Sequence, residues 1–170
     1  AKPLGCYGDG GAIFTDDDEL YEKLVSVRVH GKGGDKYDNV RIGLNGRMDT
    51  LQAAIVLEKF TLFPTEVKLR NKVADQYSAL LSDRVVVPEV SSGYTIVWAQ
   101  YSILAKDADD RASLQAKLKE AGIPSAVYYP KPLHQQTAFN HLDYKDGDFP
   151  VSEEMSQRIF SLPMHPYLET

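Results

Sequence analysis

A lysine at position 2 is followed by glycines at 5, 8, 10 and 11 in the stretch KPLGCYGDGGAIFT. Glycine gives up more conformational freedom on folding than other residues. It is therefore kept where φ is positive or where another group comes very close. A lysine amine beside such a loop and a buried strand can be partly desolvated, which lowers its pKa and makes it a nucleophile toward aldehydes. The plain alternative for Lys2 is a solvated terminal lysine.

Two further groups have chemistry in them. In GLNGRMDTLQAAI, Asn45 and Arg47 sit in a glycine-flanked turn just before a helical pattern. An amide and a guanidinium offered there suit a phosphate or carboxylate. A simple helix cap by Asn45 or Asp49, worth about 1 kcal/mol, is the competing reading. In AVYYPKPLHQQTAF, the pair Tyr128–Tyr129 and His134 form a polar, ligand-facing candidate cluster, with an exposed loop histidine as the alternative. Other signatures are missing. GCYGDGG is not the dinucleotide fingerprint, and GKGGDK is not a phosphate-binding P-loop. His30, His134, His141 and His165 lack metal-ligand spacing, so no metal is expected.

The elements that must position these groups follow from periodicity. Residues 11–15 read as a short buried strand. A helix follows over about 16–30, with Thr15 as its cap, Leu20, Leu24 and Val27 inward, and Gly31 as its stop. The glycine-rich stretch 31–47 is long for a connector, as functional loops often are. Residues 48–60 are apolar on most sides and predict a buried helix. Pro64 is placed to start another, running to about 81. Strands are expected near 84–90, 94–106 and 123–130, and a helix over 109–121 stopped by Gly122. A further helix capped by Ser152 should run to about 160, before an extended end, SLPMHPYL. A domain boundary is placed near 62–63. The first part looks like a piece of a larger α/β domain. The second, 63–170, reads as a small α/β sandwich.

The 170 residues carry a net charge of −5, and the 19 basic residues are scattered. That argues against a nucleic-acid surface or a polybasic membrane patch. No apolar run approaches the roughly 20 residues that span a bilayer. Cys6 is the only cysteine, so no internal disulfide is possible, and a reducing cytoplasm fits.

Taken in order, KPLGCYGDGGAIFT, RVHG, GLNGRMDTLQAAI, AGIPSAVYYPKPLHQQTAF and SLPMHPYL resemble the C-terminal half of the nucleotide-sugar aminotransferases of the DegT/DnrJ/EryC1/StrS family. The resemblance covers nearly the whole chain. It implies an α/β fragment of a fold-type I transferase dependent on pyridoxal 5'-phosphate (PLP). Residues 1–62 would end the large cofactor-binding domain, and 63–170 would form the small C-terminal domain without its last helix. Lys2 would hold the cofactor covalently through its amine. Asn45 would reach the cofactor phosphate of the neighbouring subunit of a homodimer. Arg47 would help bind the nucleotide sugar, and Tyr128, Tyr129 and His134 would line the substrate side.

The implied reaction is a ping-pong transfer of an amino group from L-glutamate to a keto-sugar on UDP or dTDP, for surface polysaccharide or glycan synthesis. The motifs look most like enzymes aminating a 3-keto sugar of the UDP-2-acetamido-3-oxo-glucuronate type. In relatives the preceding half holds the remaining cofactor contacts, so this chain is expected to be a fragment. Two other readings stand beside it. One is a PLP-dependent sugar dehydratase, in which a histidine replaces the lysine. The other is a non-catalytic sugar-nucleotide-binding or dimerisation module.

Overall fold

Asp17 sets the start of the first helix. In the computed structural model, which describes residues 2–169, its side chain accepts from the Leu20 N–H at 3.0 Å. Helix α1 runs Asp18–Val27, with Asp18 and Glu19 favourably placed at its positive end. Thr15, the expected cap, sits two residues earlier, and its hydroxyl accepts from the Asp17 N–H at 3.1 Å. The expected strand at 11–15 does not form, and Phe14 is 92% exposed. A strand needs a neighbour for its N–H and C=O groups, and no described segment supplies one.

Residues 31–47, expected as an aperiodic loop, fold back on the end of α1. Isolated bridges join Lys32 to Asn39 and Val29 to Asn45. The approach is close enough to demand glycine. Gly31 has φ +76°, and a Cβ there would lie 1.7 Å from the Arg41 carbonyl oxygen.

One continuous helix, α2 (Thr50–Leu81), replaces the two expected, and Pro64 lies inside it. Proline withholds a single helical N–H, and the stretch around Pro64 is exposed, so water is available to the freed carbonyl. The N-terminal part of α2 was expected to be buried, yet Leu51 and Leu57 are about two-thirds exposed or more, at 71% and 67%.

The chain divides into two compact units, Lys2–Phe63 and a second beginning at Pro64. The second unit is built on a small antiparallel sheet. Strand β1 (Tyr101–Leu104) pairs with β2 (Ile159–Leu162) in the register Tyr101↔Leu162 to Leu104↔Ile159. Val86 bridges the outer edge of β1 at Leu104, and Ala126 bridges β2 at Ser161. The expected strands near 84–90 and 123–130 are thus reduced to single bridges. Pro88 and Pro124 lie two residues away from them and cannot donate to a ladder. The expected strand 94–106 is cut by Trp98, whose φ is +47°. That left-handed residue is held by its indole N–H donating to the Asn71 side-chain carbonyl (3.1 Å) and by Arg70 donating to its backbone carbonyl (2.9 Å).

Beneath the sheet lies the core. Tyr101 and Phe160 are fully buried, with Ile103, Ala105, Trp98 and Ala74 around them. The rings of Tyr77 and Trp98 flank Tyr101 at 5.1 and 5.4 Å. Helix α3 (Ala108–Glu120), capped by Asp107, turns Leu114 and Leu118 toward this core, and Gly122 follows it at φ +74°. Helix α4 (Pro150–Arg158) starts at its proline rather than at a Ser152 cap, and β2 follows it directly. Between α3 and α4 lie two short 3-10 turns (Leu133–Gln135 and Thr137–Leu142).

Candidate active site

The sequence-predicted residues fall into one group per unit. In Lys2–Phe63, the Lys2 side chain is exposed, and its amine has no hydrogen-bond or ion-pair partner among the described residues. The partial desolvation expected for it is not provided by the residues around it. Two residues that sequence reasoning missed tie its loop to α2. The Tyr7 N–H donates to the Gln52 side-chain carbonyl at 2.7 Å, and the Lys59 ammonium donates to the Gly5 carbonyl. Lys59 also lies 5.7 Å from the centre of the Tyr7 ring. Of the four glycines, none has positive φ. Gly10 is the one in a close approach, where a Cβ would meet the Cys6 sulfur at 2.7 Å and the Met48 methyl at 2.8 Å.

Asn45 is fixed from both sides. The His30 N–H donates to the Leu44 carbonyl (3.0 Å), and the Gly46 N–H donates to the Arg28 carbonyl (2.8 Å). The Asn45 side-chain oxygen accepts from Arg47 Nε at 3.2 Å. This leaves the amide NH₂ of Asn45 and the outer guanidinium nitrogens of Arg47 without partners among the described residues. Paired donors of this kind suit an anion.

In the second unit, the Tyr128 and Tyr129 rings meet edge to face at 5.8 Å. They wall a cavity of about 380 Å³ with Lys131, Gln136, Met155 and Ile159. The structure does not turn His134 into that cavity. Its imidazole, 7% exposed, packs against the Phe149 ring at 4.8 Å and lies 2.9 Å from the Glu153 carboxylate through Nε2. It borders a second cavity of about 370 Å³ lined by Phe139, Leu142, Tyr144 and Phe149.

Glu153 is a site residue that no sequence signal singled out. Its oxygens accept from the Gly147 N–H (2.9 and 2.8 Å) and the Phe149 N–H (3.2 Å). Those bonds, Gly147's first, together with His134, hold its carboxyl below the usual carboxylate value, against burial pushing it up. No cluster of metal-ligating side chains occurs among the described residues.

A free primary amine on a tied glycine loop can condense with an aldehyde, and the Asn45–Arg47 donors can take up a phosphate or carboxylate. The donor set therefore fits a phosphorylated aldehyde cofactor. All 170 residues match the model of the DegT/DnrJ/EryC1/StrS aminotransferase family.

The chain belongs to that family.

Its DegT/DnrJ/EryC1/StrS relatives agree with the match. The chain is 46% identical, over its whole length, to the UDP-2-acetamido-2-deoxy-3-oxo-D-glucuronate aminotransferase of Pseudomonas aeruginosa, covering 46% of that protein. Among solved structures, a DegT DnrJ EryC1 StrS aminotransferase from Brucella abortus is 54% identical with a TM-score of 0.92. The match covers 99% of this chain and 44% of that one. DesV of S. venezuelae, solved in complex with a ketimine intermediate, is 30% identical with a TM-score of 0.92, covering 99% and 45% of the two chains. The chain thus has the fold of part of a fold-type I PLP-dependent aminotransferase. It spans about half the length of the relatives it matches. No helix among the described residues is long and apolar enough to cross a membrane.

Proposed function

We propose that the whole protein transfers an amino group from L-glutamate to a keto-sugar carried on a nucleotide, using PLP. The observation that carries this reading is the unpartnered Lys2 amine on a glycine loop tied to α2, within a chain that matches the family from end to end. Residues 1–62 belong in this reading to the cofactor domain, and 63–170 to the small domain.

When bound, the cofactor supplies an electron sink that makes the hydrogen beside the reacting nitrogen removable. The residues of this chain do the rest. Lys2 anchors the cofactor through its amine. Once displaced by the donor, it moves a proton on and off the reacting carbon as general base and then acid. Asn45 binds the cofactor phosphate of a partner subunit, Arg47 meets the charged part of the nucleotide sugar, and Tyr128 and Tyr129 line the sugar. A 3-oxo sugar on UDP is the favoured substrate, because the Pseudomonas relative is named for one. A single cysteine suits a reducing cytoplasm, where we place the reaction.

Absorbance of the full-length protein loaded with PLP tests the activity. Glutamate should bleach the cofactor band, and a UDP-linked 3-keto sugar should restore it. A band indifferent to glutamate would sink the aminotransferase reading and favour a binding module. Mixed dimers test the shared site. One chain carries Lys2→Ala, the other Asn45→Ala with Arg47→Ala. Recovery of up to about half of wild-type activity is expected from the two-fold symmetry, because both defects then gather in one site. No recovery would place these residues within their own chain's site.

A further inference from the structure

We propose that His134 and Glu153 act together as a positioning clamp for Tyr128–Tyr129, and that neither touches the sugar. The inference rests on the reading that the tyrosine pair lines the sugar site. Four observations support it.

The first is burial. The His134 and Glu153 side chains are 7% and 17% exposed, and Nε2 is engaged by the carboxylate at 2.9 Å. A ring closed off in this way has little left to offer a ligand in the tyrosine-walled cavity, whose lining includes neither residue.

The second is connectivity. Glu153 gathers three donors from two places in the chain: His134, and the Gly147 and Phe149 N–H groups of one loop. It thereby ties the 3-10 turn at Leu133–Gln135 and the loop before α4 to the first turn of that helix.

The third is stiffness. Only four residues separate Tyr129 from His134, and two of them, Pro130 and Pro132, have a fixed φ. Pro132 is buried. A displacement at His134 is therefore passed back to the tyrosines instead of being absorbed between them.

The fourth is the shared wall. Leu133 and Ser152, the immediate neighbours of His134 and Glu153, line both cavities. A shift of either clamp residue moves the wall of the sugar side.

The test uses the full-length enzyme with His134→Ala, Glu153→Ala, the double variant and Glu153→Gln. UDP-N-acetylglucosamine, as a probe, is titrated calorimetrically, and each half-reaction is followed by stopped flow. Each alanine variant should weaken probe binding and slow the sugar half-reaction by about tenfold, the scale of one displaced hydrogen bond. The double variant should be no worse than either single one, since partners acting as a unit are not additive. The glutamate half-reaction should stay within about twofold, the scale of a surface change away from the chemistry. Glu153→Gln keeps an acceptor oxygen and should recover most of the loss, which also covers the case in which an alanine variant does not fold.

A loss from His134→Ala that Glu153→Ala does not share overturns the clamp, because His134 then meets the sugar itself. Additive losses overturn it too, as do equal losses in both half-reactions. The probe is read without turnover. A wild-type protein that binds it but ignores glutamate refutes the aminotransferase reading, and the clamp is then judged on binding alone.

Discussion

The two units of this chain treat their apolar residues in opposite ways. In the unit that begins at Pro64, Tyr101, Phe160, Trp98 and Ile103 bury one another beneath a sheet. In Lys2–Phe63, no large apolar side chain is fully buried, and Ile13, Phe14, Leu51 and Leu57 face outward. The second unit gets its order from its own core. The first is ordered locally, by a helix cap, by backbone bonds that fold 31–47 onto α1, and by two side chains that tie the Lys2 loop to α2. The residues assigned to the chemistry of the amine and the anion lie in the unit without a core. In the proposed enzyme, stability and reactivity are thus divided between separate stretches of sequence.

The largest effect expected from that division is purely chemical. Lys2→Ala in the full-length protein should abolish turnover and leave the thermal midpoint of the cofactor-free protein unchanged, because the exposed side chain makes no contact that holds the fold. Normal transamination by this variant would remove the catalytic assignment. A large fall in the midpoint would show that the residue supports the fold.

Next comes the opposite change. Phe160→Ala removes a fully buried ring and should cost about 3–5 kcal/mol in denaturant unfolding of the second unit. A loss below about 1 kcal/mol, the scale of an ordinary substitution, would mean that this core does not carry the unit.

An intermediate case sharpens the contrast. Gly31→Ala places a Cβ against the Arg41 carbonyl oxygen at a positive φ, so the 31–47 hairpin must move. The strain should cost more than about 1 kcal/mol locally. Cofactor phosphate affinity should fall through Asn45, while unfolding of the second unit stays at wild type. If both units lose stability together, the division is wrong.

The smallest effect concerns pH. Burial pushes the hydroxyls of Tyr77 and Tyr101 above the usual value of 10.0. Each therefore holds its proton more tightly folded than unfolded. Their contribution is complete below 10.0 and is lost as pH rises through the folded values. Denaturant midpoints measured across that alkaline range should fall for wild type, and fall less for Tyr77→Phe. An unchanged slope would show that Tyr77 is not titrating with unfolding.

Helices were the most legible elements, because their signals are local. Leu114, Leu118 and Gly122 mark α3 within a residue, while α1, expected over about 16–30, starts two residues later and ends three residues earlier, at Val27. Strands were over-read, because a short run of apolar, β-branched and aromatic residues records only a need for cover. Residues 11–15 carry that pattern and find no ladder partner among the described residues, and 94–98 is turned aside at Trp98. Pro64 misled because its exposed position tolerates a missing bond. The motif residues were visible through resemblance, but their fastenings were not. Gln52, Lys59 and Glu153 act on groups 45, 54 and 19 positions away, and no spacing rule connects them in sequence.

The two ties that Gln52 and Lys59 make to the Lys2 loop lie seven residues apart on α2. Seven residues are close to two full turns, so both side chains leave the helix in nearly the same direction. The helix here works as a ruler whose phase matters as much as its length. One residue added between them would swing Lys59 round by about 100° while Gln52 stayed in place. The lysine loop would keep one fastening and lose the other. Even where it is solvent-facing and rich in substitutable residues, this stretch of α2 can change its letters but not its count.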